Sequence, residues 1–301
     1  MTPTANGAGR ARIMWALMAV WLVWGSTYLA IKIGLETLDP FVMQAVRFAF
    51  ASALMLAILW RKGYGRPTAV EVRNAAMVGI MLLIGGLGLV TLAEDRGVDT
   101  GLVATIIAIQ PLLMSLWGGV WREWPSRIEW MGMVVGLGGV AVLMSDRGLS
   151  GSGGGVLLVF AASASWSLGS AVSRRIRMPD GLTASGIEMG AAAIGYTVLA
   201  LVTGEGFTTP SLRSGLAVAY LVVFGSIVGF TAFTFLIMNV PASLAMSYAY
   251  VNPAIAVMLG VVLSDESVSG RMAVAIPVIL IGVAIVTNAS RIRSPAPERT
   301  L

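Results

Sequence analysis

Ten continuously apolar runs, each close to the length of a membrane span, govern what this chain can fold into. They cover residues 13–32, 40–60, 74–93, 99–120, 128–145, 154–173, 182–203, 214–237, 242–263 and 271–289. A bilayer core of ~30 Å takes about 20 residues of helix. Only helices and closed barrels satisfy their own backbone polar groups in lipid. Barrel strands would alternate polar and apolar residues over ~10 positions, and these runs do not alternate. The expected fold is therefore an all-α polytopic membrane protein with ten transmembrane helices. Composition agrees: 12% of the 301 residues are charged, against about 25% in a soluble domain. Turn signals such as "LDP" (38–40), "RKGYGRP" (61–67), "GSGGG" (151–155) and "MPDG" (178–181) separate the runs. The first run follows Arg10 and Arg12, but its length and its three tryptophans mark a retained helix, not a signal peptide.

Charge placement sets the expected orientation. With the N-terminus inside, the inner segments hold 14 Lys/Arg: Arg10 and Arg12, Arg61 to Arg73, Arg122 and Arg127, Arg174 to Arg177, and Arg291 to Arg299. The outer segments hold 5: Lys32, Arg96, Arg147, Arg213 and Arg271. The positive-inside rule then places both termini, and a tail at 291–301, in the cytoplasm. This scatter beside apolar runs points to topology, not to nucleic acid. Cysteine and histidine are both absent, so metal sites and imidazole catalysis lose their usual residues. No phosphate-cradling glycine loop or catalytic triad signature appears. No cofactor is expected.

The chain repeats itself. Shifted by 142 residues, Trp24 falls on Trp166 and the pair Gln110-Pro111 falls on Asn252-Pro253. With one-residue slips, "GVAVLM" (139–144) meets "GVAIVT" (282–287), and Arg47 meets Glu188. The halves are 1–148 and 153–290. Five spans per half is odd, so the second half must be inverted relative to the first. Inverted repeats are typical of secondary transporters, with the substrate site near the midplane. Proline removes one helical hydrogen bond. In lipid that is tolerated where protein or water satisfies the freed group. Pro111 and Pro253 are thus expected hinges beside a central cavity, with Gln110 and Asn252 presenting amides there. Packed kinks are the alternative.

The segments "WGSTYLAIKIG" (24–34), "AVRF" (45–48), "LAEDRGVDTGLVATIIAIQPLL" (92–113), "FGSIVGF" (224–230) and "NVPASLAMSYAYVNPAIAVMLG" (239–260) resemble the drug/metabolite transporter superfamily, in its ten-helix EamA-type branch. The resemblance implies a bacterial inner-membrane exporter of small metabolites. Helices 1–4 and 6–9 would surround the cavity, with helices 5 and 10 peripheral.

Ionisable groups within a span are functional candidates. Arg47 lies ~10 Å in from the outer end of helix 2, with Glu94, Asp95 and Lys32 as expected neighbours. Glu188 should lie at a mirrored depth near the inner end of helix 7. Structural roles are the alternatives for both. Trp24, Tyr28, Trp166, Tyr248 and Tyr250 are candidate pocket rings, suited to flat or cationic amphiphiles. Trp60, Trp117, Trp121, Trp124 and Trp130 fit an interfacial belt. The glycine pairs in "GMVVG" (132–136) and "GSIVG" (225–229) mark close helix contacts within one chain, so a monomer is expected. The function these readings favour is a secondary exporter of small metabolites, amino acids or amphiphilic solutes, working by alternating access, with protons as a candidate coupling ion. An uncoupled facilitator, and an intramembrane lipid-modifying enzyme built on the outer charges, are the competing readings.

Overall fold

A computed structural model describes residues 5–61, 63, 65–98, 103, 106–145, 153–264 and 270–292, and no strand occurs among them. Ten helices carry the fold: α1 (Ala5–Gly34), α2 (Pro40–Arg61), α3 (Ala69–Asp95), α4 (Gln110–Val120), α5 (Arg127–Met144), α6 (Gly153–Ser173), α7 (Gly181–Thr203), α8 (Leu212–Asn239), α9 (Tyr248–Ser264) and α10 (Gly270–Ile292). Polar residues between the apolar runs start them. Thr68 with Glu71, and Ser126 with Glu129, form capping boxes at α3 and α5. Asp180 and Ser211 cap α7 and α8, each accepting an N–H that the first turn leaves unpaired. Gly204 ends α7 at φ 75°, a conformation glycine takes without steric cost.

Large apolar side chains face outward. On α7, Ile194, Val198, Leu201 and Val202 are exposed along one helical stripe. A surface of that kind is stable against lipid tails, not water. Trp60, Trp121 and Trp124 are exposed at helix ends, as the belt reading expected. Trp117 departs from it: its Nε1 donates to Ser167 Oγ of α6 at 3.0 Å, so the ring turns inward.

The halves form two inverted five-helix repeats, and repeat mates meet at the axis between them. α2 packs on its mate α7, and α5 on its mate α10. At the second crossing the contacts are reciprocal. A Cβ on Gly282 would lie 2.5 Å from Gly136 N, and one on Gly139 would lie 2.9 Å from Ile279 N. Gly139 and Ile279 are the repeat mates of Gly282 and Gly136, so these are one contact seen twice, as a twofold requires. Trp24 and its mate Trp166 also touch, edge to face, with ring centroids 5.5 Å apart.

Both halves widen the same helix at the same point. α3 is a π-helix over Ile80–Gly88, and α8 over Leu221–Val228. Such segments concentrate at functional sites. Carbonyls in these segments accept from side chains of the opposite half. Met81 O takes Ser165 Oγ (2.8 Å), Leu83 O takes Tyr196 Oη (2.5 Å) and Gly225 O takes Trp24 Nε1 (3.0 Å). Tyr196 is fully buried. Tyr196→Phe should therefore lower stability by about 1 kcal/mol, the net worth of one such bond. Thermal unfolding in detergent measures this, and an unchanged Tm would mean the bond contributes nothing.

Candidate functional site

The π segments, the broken helix α4 and the start of α9 enclose a central cavity of about 90 Å³ on the twofold axis. Its lining includes Trp24 and Thr27 from α1, Arg47 and Phe48 from α2, Leu83, Gly86 and Val90 from α3, and Gln110 from α4. From the second half come Trp166, Gly225, Ser226, Phe230, Tyr248 and Asn252. Six of the sequence candidates thus converge here: Trp24, Arg47, Gln110, Trp166, Tyr248 and Asn252.

Each is positioned by its helix. Tyr248 and Asn252 are one helical turn apart and share a face of α9. The Tyr248 hydroxyl donates to Gln110 Oε1 at 2.8 Å, joining the two amide-proline regions. Oriented to satisfy its surroundings, the Asn252 amide nitrogen donates to Tyr248 O (3.1 Å) and Trp21 O (3.2 Å). Trp24 stacks edge-on against Tyr248 at 4.9 Å and lies 5.1 Å from Phe233. Gly229 allows this: a Cβ there would meet Trp24 Nε1 at 2.5 Å.

The helix breaks lie before the prolines, not at them. The first falls at Ala108–Ile109, which puts Pro111 in the first turn of α4, where its missing N–H costs nothing. The second falls at Met246–Ser247, between the single turn Ala242–Ala245 and α9, with Pro253 one turn further on inside the helix.

Arg47 is buried at 4% exposure. The expected partner Glu94 is not what it meets. Its Nε donates to Ser226 Oγ at 2.9 Å and its Nη1 to Gln44 Oε1 at 3.4 Å, and its guanidinium sits 4.9 Å from the Phe48 ring centroid. The reason is direction: the guanidinium points at the π segment of α8, where Gly225 leaves room beside Nη2. Glu94 is half-buried at the end of α3, away from the cavity lining. Tyr250, two residues beyond Tyr248, lies about 200° around the helix. It packs on Gly136 of α5 with its ring outside the cavity. The Tyr28 side chain lies outside the described residues.

Glu188 occupies a second, smaller cavity of about 110 Å³ with Ser173, Phe233 and Thr234. It is buried, and Oε2 has no hydrogen-bond partner. Gly79 of α3 comes against its backbone: a Cβ there would lie 2.5 Å from Glu188 Cα. Gly186 and Gly190 admit α2, whose Ser52 Oγ donates to Gly186 O at 2.8 Å.

Sequence reading missed a third feature, a 530 Å³ vestibule between the ends of α4, α6 and α8, the start of α5 and the single turn Ala242–Ala245. Glu129 is buried in its wall and accepts from Ser243 Oγ at 2.6 Å. The "SRIE" capping box (126–129) was readable as a helix start; its second carboxylate oxygen reaching Ser243, in the single turn Ala242–Ala245, was not. Arg174 spans the vestibule to donate to the carbonyls of Ile237 and Val240 at the end of α8. Burial lowers its pKa, against the nearby Glu123.

Comparison with known proteins agrees with this architecture. The sequence model of the EamA-like transporter family matches twice, at residues 11–145 and 153–288. The Escherichia coli K12 protein called "Uncharacterized inner membrane transporter YedA" is 41% identical over 273 residues, spanning 90% of this chain and 89% of its own. "Uncharacterized transporter YvbV" of Bacillus subtilis is 25% identical, spanning 93% and 94%. One crystal structure superposes with a TM-score of 0.79 at 22% identity, over 93% of this chain and 98% of that one, which supports the fold. With a family match across both halves and a relative at this identity, the chain belongs to the EamA-like transporter family.

Proposed function

We propose that the protein is a secondary exporter of small organic solutes that works by alternating access around the central cavity. It would lie in a bacterial inner membrane with both termini in the cytoplasm, as the 14 to 5 split of basic residues favours. The observation that carries the reading is a pair of polar latches joining the halves above and below the cavity. On the face opposite the termini, the α1–α2 loop holds the α7–α8 loop. Ser211 N donates to Thr37 Oγ1 (3.2 Å) and Gly206 N to Asp39 Oδ2 (3.1 Å). Glu205 Oε2 caps the start of α2 by accepting from Phe41 N (2.8 Å) and Val42 N (3.0 Å). On the face of the termini, the repeat-mate segments hold one another. Arg177 Nε donates to Glu71 Oε1 (3.1 Å), and Asn74 Nδ2 to Arg177 O (2.9 Å). Loops that pair on one face have mates that pair on the other, which is what a rocking mechanism about a twofold in the membrane plane would use.

Glu188 is the candidate proton site, being a carboxylate buried between α7, α3 and α8 with one oxygen unpartnered. The test is efflux from proteoliposomes loaded with mixed amino acids, sugars and carboxylates, read by mass spectrometry with and without a pH gradient. Saturable, protein-dependent loss of a solute with counterflow is expected. If no solute leaves faster than from protein-free vesicles, the transport reading fails. If Glu188→Gln keeps the wild-type rate and pH dependence, the proton role fails by itself.

A further inference from the structure

We infer that the central cavity takes a small organic carboxylate, gripped by Arg47 at the π segment of α8 and packed through an apolar body against the tryptophans on the axis. The inference rests on the reading of this cavity as the transport site, and it names the chemical class of the cargo.

The argument starts from an imbalance of donors. Arg47 keeps its charge under any ordinary condition. A charge buried within a membrane span is costly unless an ion or well-placed acceptors answer it. Here the answering groups are neutral. Thr27 of α1, Gln44 and Phe48 of α2, Tyr196 of α7, and Gly225 and Ser226 of α8 surround the guanidinium. Two of its five N–H groups are used, one of them over a long 3.4 Å contact. Among the described residues, no aspartate or glutamate lines the cavity. Among the described residues, the ion pairs run between other charges, at the helix ends and loops.

Other donors in the lining add to the surplus. Gln110 accepts the Tyr248 hydroxyl at its Oε1, and its amide nitrogen is a further donor in the lining. The Trp166 indole N–H is buried and has no acceptor among the described residues. A planar carboxylate suits the guanidinium fork and accepts several such donors at once. The remaining wall is Trp24, Phe48, Trp166 and Phe230 with aliphatic neighbours, which suits an apolar body. An amine would meet Arg47 with like charge and find no acid. An amino acid would satisfy Arg47 but leave its ammonium without an anion.

The test uses four ligands sharing one ring: 3-phenylpropionate, L-phenylalanine, 3-phenylpropan-1-ol and the phenethylammonium ion. Binding to the purified full chain in nanodiscs is read by tryptophan fluorescence. The carboxylate should bind roughly tenfold more tightly than the alcohol or the ammonium, because a charge-assisted bidentate pair is at stake. Arg47→Gln should reduce it to the level of the alcohol, while Arg47→Lys should restore part of the difference. If Arg47→Gln does not fold, the ranking of the four ligands on the unaltered protein still decides. Equal or tighter binding of the alcohol or the ammonium overturns the inference. So does a folded Arg47→Gln with unchanged carboxylate affinity, or no carboxylate binding up to about 10 mM, where association is weaker than roughly 3 kcal/mol. Vesicle efflux separates the two readings. Transport restricted to cations or neutral solutes sinks the carboxylate and leaves the exporter. A carboxylate that binds yet never crosses leaves the site and sinks the exporter.

Discussion

Replacing Gly282 by alanine is expected to force α5 and α10 apart and to lower the protein's thermal stability by about 3 kcal/mol. The new Cβ would lie 2.5 Å from Gly136 N, 2.7 Å from Gly136 Cα and 2.8 Å from Gly132 O. All three are backbone atoms, so no side chain can swing aside to make room. The helices must separate by about an ångström, and the packed residues along the seam lose contact together. Overpacking of this kind costs about 3 kcal/mol at the upper end of its usual range. The twofold makes a second prediction inseparable from the first. Gly139→Ala presses on Ile279 N at 2.9 Å and should act in the same direction, somewhat less strongly. Gly138, next to Gly139 in sequence, has nothing within 4 Å of its Cβ direction, so Gly138→Ala is the control and should change little. Thermal unfolding of the three variants in one detergent gives the answer. A Gly282→Ala protein as stable as Gly138→Ala would mean that the α5–α10 crossing is not as close as described.

This crossing also shows how far the sequence could be read. "GMVVG" announces a close helix contact, and the alignment of "GVAVLM" with "GVAIVT" announces a mate. Neither says that the two mates are each other's partners, because that depends on where the axis falls. Apolar runs and their offset suffice for ten spans in two opposed halves. The π segments were invisible, since a wider turn has no residue signature and Ile80–Gly88 reads as ordinary apolar helix. The burial of Arg47 could be read from its place inside an apolar run. Its partner could not, because Glu94 is the obvious charge in sequence, whereas Ser226 is a neutral residue 179 positions away. Tyr250 is a pocket candidate because helix 9 lies at the centre, but a two-residue step from Tyr248 on that helix points its ring the other way.

Cross-linking the two latches should arrest transport from either face. The chain has no cysteine, so any introduced pair reports without background. Thr37→Cys with Ser211→Cys joins the loops on the face opposite the termini, and Glu71→Cys with Arg177→Cys joins the mate segments on the other. A disulfide, or a short bifunctional thiol reagent for the second pair, fixes one mouth closed. If access alternates, either link alone should reduce efflux by more than roughly tenfold, and reduction should restore it, because blocking one of two required states halts the cycle. A pore open at both ends would instead be stopped by a link only where that link narrows its path. The two latches should also differ in their response to acid. Burial raises the pKa of Glu205, the capping bonds from Val42 and Phe41 oppose this, and Asp39 and Asp95 add to it. A raised pKa in the latched state means that the latch is favoured while Glu205 is protonated and weakens as pH climbs through that range. Glu71 runs the other way. Its bonds from Thr68, and then Arg177, hold its pKa low, so it stays ionised at neutral pH and its latch weakens only as pH falls through that lowered range. The rate of disulfide formation at Thr37→Cys and Ser211→Cys, with thiol reactivity corrected by a free-cysteine standard, should therefore rise as that side is acidified from neutral pH. Glu205→Gln should flatten the response, and a response that survives this substitution would remove Glu205 from the latch.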